Sequence, residues 1–238
     1  MAKQGRIFAV IFLALLIPVL LAAPESEAKV YRGKYANNTK WSYDTKTKTV
    51  IIECRGELPD DHHGSAGWGD YYLKAKKVIF KKGITSIGAG AFYNFQKLEE
   101  VVLPEGLKTI KDSAFWDCYR LKNINVPTSL RTIGASAFMG TEIDSFSLKQ
   151  VKKIGNMCFS GSKIKEVYFS KNFRTSSLVF WGSDNLKKAT IEKGVKKISY
   201  GMFCDTALKT IDIPGSVFQI GEDAFADCKK LQKVTLHE

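Results

Sequence analysis

Leu98-Glu-Glu-Val-Val-Leu-Pro-Glu-Gly-Leu-Lys-Thr-Ile-Lys-Asp-Ser-Ala-Phe115-Trp-Asp-Cys-Tyr-Arg-Leu121 runs straight into Leu121-Lys-Asn-Ile-Asn-Val-Pro127, which restates Leu98 to Pro104. The phenylalanine of this stretch is a ruler for the chain: Phe92, Phe115, Phe138, Phe159, Phe180, Phe203 and Phe225 stand 23, 23, 21, 21, 23 and 22 residues apart. Five residues before each ruler position stands an isoleucine, Ile87, Ile110, Ile133, Ile154, Ile198 and Ile220, with Thr175 as the exception in a degenerate fifth copy, Val167 to Phe180. A motif that returns every twenty-odd residues describes a stack of equivalent units, and it outranks any residue-by-residue reading of helix or strand.

Each copy opens with Leu98, Leu121, Ile143, Ile164, Leu186, Leu208 or Leu231, and Ala75 opens an earlier, weaker one. Two further apolar residues follow with an outward residue between them, as in Val101 and Leu103 or Ile211 and Ile213. That alternation is the period-two pattern of a strand. Pro104, Pro127 and Pro214 end three such strands, as suits a residue with no amide donor. A turn with Gly83, Gly106, Gly194 or Gly215, a short extended piece ending in the isoleucine, and a Ser-Ala-Phe segment complete a copy. One copy cannot bury its own apolar face, so neighbours must stack, with like strands side by side at about 4.8 Å. The expected fold is a mainly β repeat solenoid of parallel stacked strands, about seven copies of 21–23 residues, closed at its N-terminal end by a β-hairpin cap.

With Ile-Gly, Ala-Phe and Phe-x-x-Cys recurring together, the pattern from about Ala75 onward resembles the BspA-like leucine-rich repeat family. The resemblance implies a curved or slightly twisted leucine-rich solenoid, typical of secreted or surface proteins and linked to adhesion or to binding host proteins. It brings no shared catalytic residues and no cofactor.

Outside the repeats, Lys3 and Arg6 precede an uncharged apolar run from Ile7 to Leu21, and Ser26-Glu27-Ala28 places small residues where a signal peptidase reads. Residues 1–28 therefore read as a secretory signal, and the run is short of the ~20 apolar residues of a comfortable membrane span. No membrane span is expected once the signal is removed, and no sortase-type motif points to covalent attachment at a cell wall. Residues 29–74 form a cap and loop: Trp41 to Glu53 reads as a hairpin that hides the first apolar edge, and Gly56 to Asp70 reads as a solvated loop. Residues 75–238 are the repeat domain, ending on an open strand edge at Val234 to Leu236.

The net charge is +12, and loss of residues 1–28 removes Lys3, Arg6, Glu25 and Glu27 and leaves it unchanged. Such a balance favours anionic partners without bearing on the fold. The five cysteines, Cys54, Cys118, Cys158, Cys204 and Cys228, make neither a disulfide framework nor a paired metal motif. Cys118 and Cys228 share a register but lie five copies apart, about 25 Å at one strand spacing per copy, far beyond bridging reach. Buried free thiols are expected, with Cys204 and Cys228 the one pair near enough to bridge.

Asp60-Asp61-His62-His63 with Asp70 is the one cluster with metal-ligand chemistry, and its adjacent histidines point apart in an extended chain, so no metal site is expected. A hydrolase built on that loop lacks a converging constellation, and the chain is not expected to be an enzyme.

Stacking turns exposed positions into columns. One column set is the outward face of the main strands, with Ile79, Glu99, Glu100, Val102, Lys122, Lys165, Tyr168, Lys187 and Lys188, a mixed surface suited to a host or neighbouring-cell surface or matrix protein. The second lies just before each isoleucine: Lys108, Arg131, Lys152, Lys153, Arg174, Lys196 and Lys197 form a basic stripe without a carboxylate. Spacing such charges about 5 Å apart costs ~1 kcal/mol or less per pair in water, so the stripe is tolerable either as a by-product of a basic chain or as a track for an anionic glycan or cell-wall polymer. Nucleic acid is not expected there, because no aromatic residue interleaves for base stacking. The leading expectation is a secreted or surface-associated binding module acting through the strand face, and the alternative is polyanion binding through the stripe.

Overall fold

A computed structural model describes residues 27–61, 66–171 and 173–238. The leader reading falls outside the described residues except for Glu27 and Ala28, and so do His62 and His63.

The repeat folds as its period dictates. The seven ruler phenylalanines form one file of rings through the core, with successive centroids 5.7, 5.5, 5.3, 5.9, 6.0 and 5.6 Å apart. Around them run three ladders. The main ladder aligns Val50, Val78, Val101 and Ile124 in parallel register across Thr49–Glu53, Lys77–Phe80, Glu100–Val102 and Asn123–Ile124. It resumes as Glu166–Phe169 beside Lys188–Ile191 and as Thr210–Ile213 beside Lys233–Leu236. A second ladder aligns Ile87, Ile110, Ile133 and Ile154.

The third ladder is made by the Ser-Ala-Phe segments and is the most regular. The amides of residues two before, at and two after each ruler phenylalanine but the last, Phe225, donate to carbonyls of the next copy. Ser113, Phe115 and Asp117, for example, donate to Ala135, Ala137 and Met139 at 2.8, 2.9 and 3.0 Å. The same three bonds recur from Gly90 to Asp205, including across the degenerate fifth copy, where Phe180 donates to Met202 at 3.1 Å. The positions two before and two after the ruler adopt left-handed φ in every copy, as at Ser113 (56°) and Asp117 (60°). Gly, Asn, Asp and Ser fill most of them, the residue types that tolerate this region, whereas Met157 and Leu178 occupy it at a cost of ~1–2 kcal/mol each.

The main ladder lapses where the sequence predicts a strand in the fourth copy. Ile143, Phe146 and Leu148 still point inward and are buried, yet residues 141–148 form no strand. Apolar spacing places side chains, but a strand also needs its backbone groups aligned with both neighbours. The fifth copy does not break the stack, because its ring and its amide ladder are in place, but the second ladder lapses there.

The N-terminal cap is larger than a hairpin. Strand β1 (Val30–Tyr35) pairs antiparallel with β2 (Thr39–Asp44), which pairs antiparallel with β3 (Thr49–Glu53), and β3 joins the repeat strands in parallel. The stretch read as a solvated loop corrects that expectation. Gly56 and Leu58 donate to Gly83 and Ser86 at 2.9 and 2.8 Å, so the chain lies along the second ladder as its first member. Trp68 then ends the ring file: it is fully buried, 6.0 Å from Phe92 at 20°, and its indole N–H donates to the carbonyl of Ala91 at 2.9 Å.

Candidate functional site

Two of the three acidic residues of the candidate metal cluster, Asp60 and Asp61, are occupied by the fold, and the third, Asp70, is exposed. The Asp60 carboxylate accepts the Ala89 amide at 2.9 Å and lies 3.1 Å from Lys111 Nζ, while buried Asp61 accepts the Ala66 amide at 3.3 Å. Among the described residues no group of three or more His, Cys, Asp and Glu side chains is placed to hold a metal ion.

All five cysteines are free thiols, Cys204 and Cys228 included. The position three after the ruler does more than pack. Cys118 Sγ donates to the Phe92 carbonyl at 3.1 Å and Cys228 Sγ to the Phe203 carbonyl at 2.9 Å, each bonding to the preceding copy. Ser183 makes the same bond to Phe159 at 2.8 Å, and Thr141 and Thr206 turn to the carbonyls of their own Phe138 and Phe203. Cys118 thereby caps a Phe92 carbonyl that has no other donor among the described residues and would otherwise lie buried and unpaired, whereas the Phe138, Phe159 and Phe203 carbonyls each accept a second bond. Burial pushes the Cys118 and Cys158 thiols well up from their ordinary value, so neither is a nucleophile at neutral pH.

On the main-strand face the predicted residues divide. Ile79 and Val102 are register partners and, with Ile51, form a half-buried apolar strip. Tyr168 is three copies away, with Lys149 Nζ 5.7 Å from its ring. Much of the charge on this face is spent between copies: Lys76 pairs with Glu99 at 2.9 Å, Lys77 with Glu100 at 2.8 Å, Lys165 with Asp144 at 2.9 Å and Lys188 with Glu166 at 3.9 Å. Lys122 and Lys187 are exposed. A groove of ≈ 440 Å³ beside the lapse in the ladder is lined by Val102, Lys122, Asn125 and Asp144 among others.

The stripe differs in both respects. Lys108, Arg131, Lys152, Lys153, Arg174, Lys196 and Lys197 are all exposed, and none has an ion pair among the described residues. Their backbone is tied in sequence: Lys108 donates to Thr85, Arg131 to Lys108, Lys152 to Arg131 and Arg174 to Lys152, at 2.8, 2.9, 2.8 and 3.0 Å. Successive cations are therefore held one strand spacing apart, about 5 Å along the backbone. The Arg131 guanidinium also donates to the Thr128 and Leu130 carbonyls, which fixes its direction.

After Arg174 the run of amide bonds along the stripe stops among the described residues. Thr175 replaces the inward isoleucine, sets its hydroxyl 2.6 Å from that of Ser199 and donates to the Lys197 carbonyl at 3.3 Å. A cup of ≈ 820 Å³ lies there, lined by Lys152, Lys153, Lys171, Phe173, Arg174, Thr175, Gly194, Lys196 and Lys197. Lys171 was not legible as part of the stripe, because it sits in the turn of the copy whose register is least regular.

The aromatic residues after the ruler positions are on the surface to different degrees: Tyr93 and Trp181 are exposed and Trp116 is half-buried, with Tyr93 and Trp116 in ring contact at 5.2 Å. Among the described residues no helix is long and apolar enough to cross a membrane.

No curated protein matches the chain. Solved structures show the same fold. A leucine-rich repeat protein from Eubacterium ventriosum superposes with a TM-score of 0.64 at 19% identity, over 88% of this chain and 72% of that one. One from Bacteroides ovatus gives 0.54 at 16% over 89% and 70%, and the leucine-rich repeat protein of T. pallidum gives 0.52 at 18% over 87% and 82%. The family model described as the BspA type leucine rich repeat region matches six copies, over residues 71–178 and 176–238. With that model matched from residue 71 to residue 238, the chain belongs to the BspA-type leucine-rich repeat family.

Proposed function

We propose that this chain is a non-enzymatic binding module, secreted or held at a cell surface, that docks an anionic polysaccharide or cell-wall polymer along its basic stripe. The family supports a repeat-based binding or adhesion role in general terms. The observation that carries the finer reading is the contrast between two charged surfaces. Carboxylates of adjacent copies neutralise much of the strand face, whereas the stripe keeps its cations unpaired and, from Lys108 to Arg174, in ladder register. A regular row of fixed cations suits a regular polyanion and makes binding salt-dependent. On a heparin column, replacing Lys152, Lys153, Lys196 and Lys197 by Gln lowers the salt needed for elution; unchanged elution rejects the stripe.

Protein recognition on the main-strand face is the second reading, favoured by the groove beside the apolar strip of Ile79 and Val102. Its partner would be a host or neighbouring-cell surface or matrix protein. Capture of such a protein that survives Val102→Asp and Lys122→Glu rejects this face.

A further inference from the structure

We infer that the cup at the fifth copy is a discrete seat for a sulfate or phosphate ester group on a saccharide, a site that reads substituents where the rest of the stripe reads charge. The inference rests on the stripe reading and sharpens it.

Six cations converge on the cup: Lys152, Lys153, Lys171, Arg174, Lys196 and Lys197. None is ion-paired among the described residues. Along Lys108, Arg131 and Lys152 the positive charge is a row, but here two rows and a turn face one space. The convergence has a built origin. Arg174 is fixed by its amide bond to Lys152 and by its bridge to Lys153 on one side. Thr175 ties the fifth copy to Lys197 and Ser199 on the other. The turn that brings Lys171 in is closed from the sixth copy by Gly194, whose φ of +117° suits glycine and whose added Cβ would lie 2.7 Å from Lys171 Cβ. The Gly194 amide is held by Ser216 Oγ at 2.8 Å, and the Glu192 carboxylate accepts the Lys171 amide at 2.9 Å. Glu192 is thus the carboxylate that orders the turn, bonded to its backbone.

The cup is open to solvent, and its ≈ 820 Å³ leaves room for a saccharide unit to rest against the cations without being enclosed. The guanidinium of Arg174 offers the planar fork that matches a tetrahedral oxyanion, and the lysines supply point charges around it. A nucleic acid is disfavoured because Phe173, the aromatic residue of the lining, is buried and offers no face for stacking.

Calorimetry on the full chain tests the seat with a heparin-derived, fully sulfated disaccharide, its desulfated counterpart, inositol hexakisphosphate and a short single-stranded oligonucleotide at one salt concentration. The sulfated disaccharide is expected to bind one per chain, the desulfated one not to bind, and Lys171→Gln to weaken binding tenfold or more while Lys108→Gln, outside the cup, leaves it unchanged. Gly194→Ala, which displaces the same turn without removing a charge, is expected to weaken it as well. Inositol hexakisphosphate binding with the same Lys171 dependence extends the seat to phosphate esters. Failure of the disaccharide to bind while heparin still elutes at high salt overturns the seat and leaves the stripe standing; failure of both rejects the two together. Equal loss from Lys171→Gln and Lys108→Gln, or tighter binding of the oligonucleotide, also overturns it.

Discussion

The rings of Phe115 and Phe138 lie 5.5 Å apart with their planes 2° from parallel, and the amide of Phe115 donates to the residue just before Phe138 at 2.9 Å. One position therefore fills the core and carries the backbone ladder from copy to copy. Phe138→Ala opens a cavity between two rings that cannot collapse without shifting the ladder, and is expected to cost about 3–5 kcal/mol. Urea unfolding measures it, and a loss under about 1 kcal/mol would show that the file is not the core.

Cys118 and Ser183 make equivalent bonds to the preceding copy, so hydroxyl and thiol are interchangeable at this position in kind. Cys118→Ser is expected to stay within about 1 kcal/mol of the parent, while Cys118→Val, of suitable size but without a donor, leaves the Phe92 carbonyl unpaired and costs about 1–3 kcal/mol. Comparing the two by chemical denaturation separates a donor from a mere space-filler. In the folded parent, Cys118 and Cys158 are expected to resist thiol reagents at neutral pH and to react on unfolding, since burial raises both thiols.

Lys165 beside Asp144 lowers the carboxyl of Asp144 below its ordinary value, chiefly through their hydrogen bond. A lowered carboxyl contributes stability that is fully present above its unfolded value, near pH 4, and is lost as the pH falls through the lower folded value. Asp144→Asn is expected to shrink the difference in stability between pH 7 and pH 3. At pH 7 its cost stays below about 1 kcal/mol, because both side chains remain partly in solvent. An unchanged acid limb would show that the pair is not formed in solution.

The repeat was legible because an apolar period reports directly on which side chains must face inward, and Phe92 to Phe225 do so. What the period does not report is which backbone groups are satisfied. That is why residues 141–148 keep their inward side chains without forming a strand, and why Gly56 and Leu58, in a segment with no apolar alternation, join the second ladder unannounced. The donor column had a signal in Thr141, Ser183 and Thr206, small hydroxyl residues at the spacing of Cys118 and Cys228. The stripe was readable from Lys108 to Lys197 as a column, but the cup was not, since it depends on how far the turn at Lys171 departs from its neighbours.

The central claim concerns the stripe, and the salt dependence of heparin affinity tests it most directly. Replacing Lys152, Lys153, Lys196 or Lys197 singly by Gln should reduce the slope of log affinity against log salt by up to about one. Lys122→Gln and Lys187→Gln on the strand face should leave the slope where it was. A parent slope near zero, or equal reductions from both faces, would contradict the account.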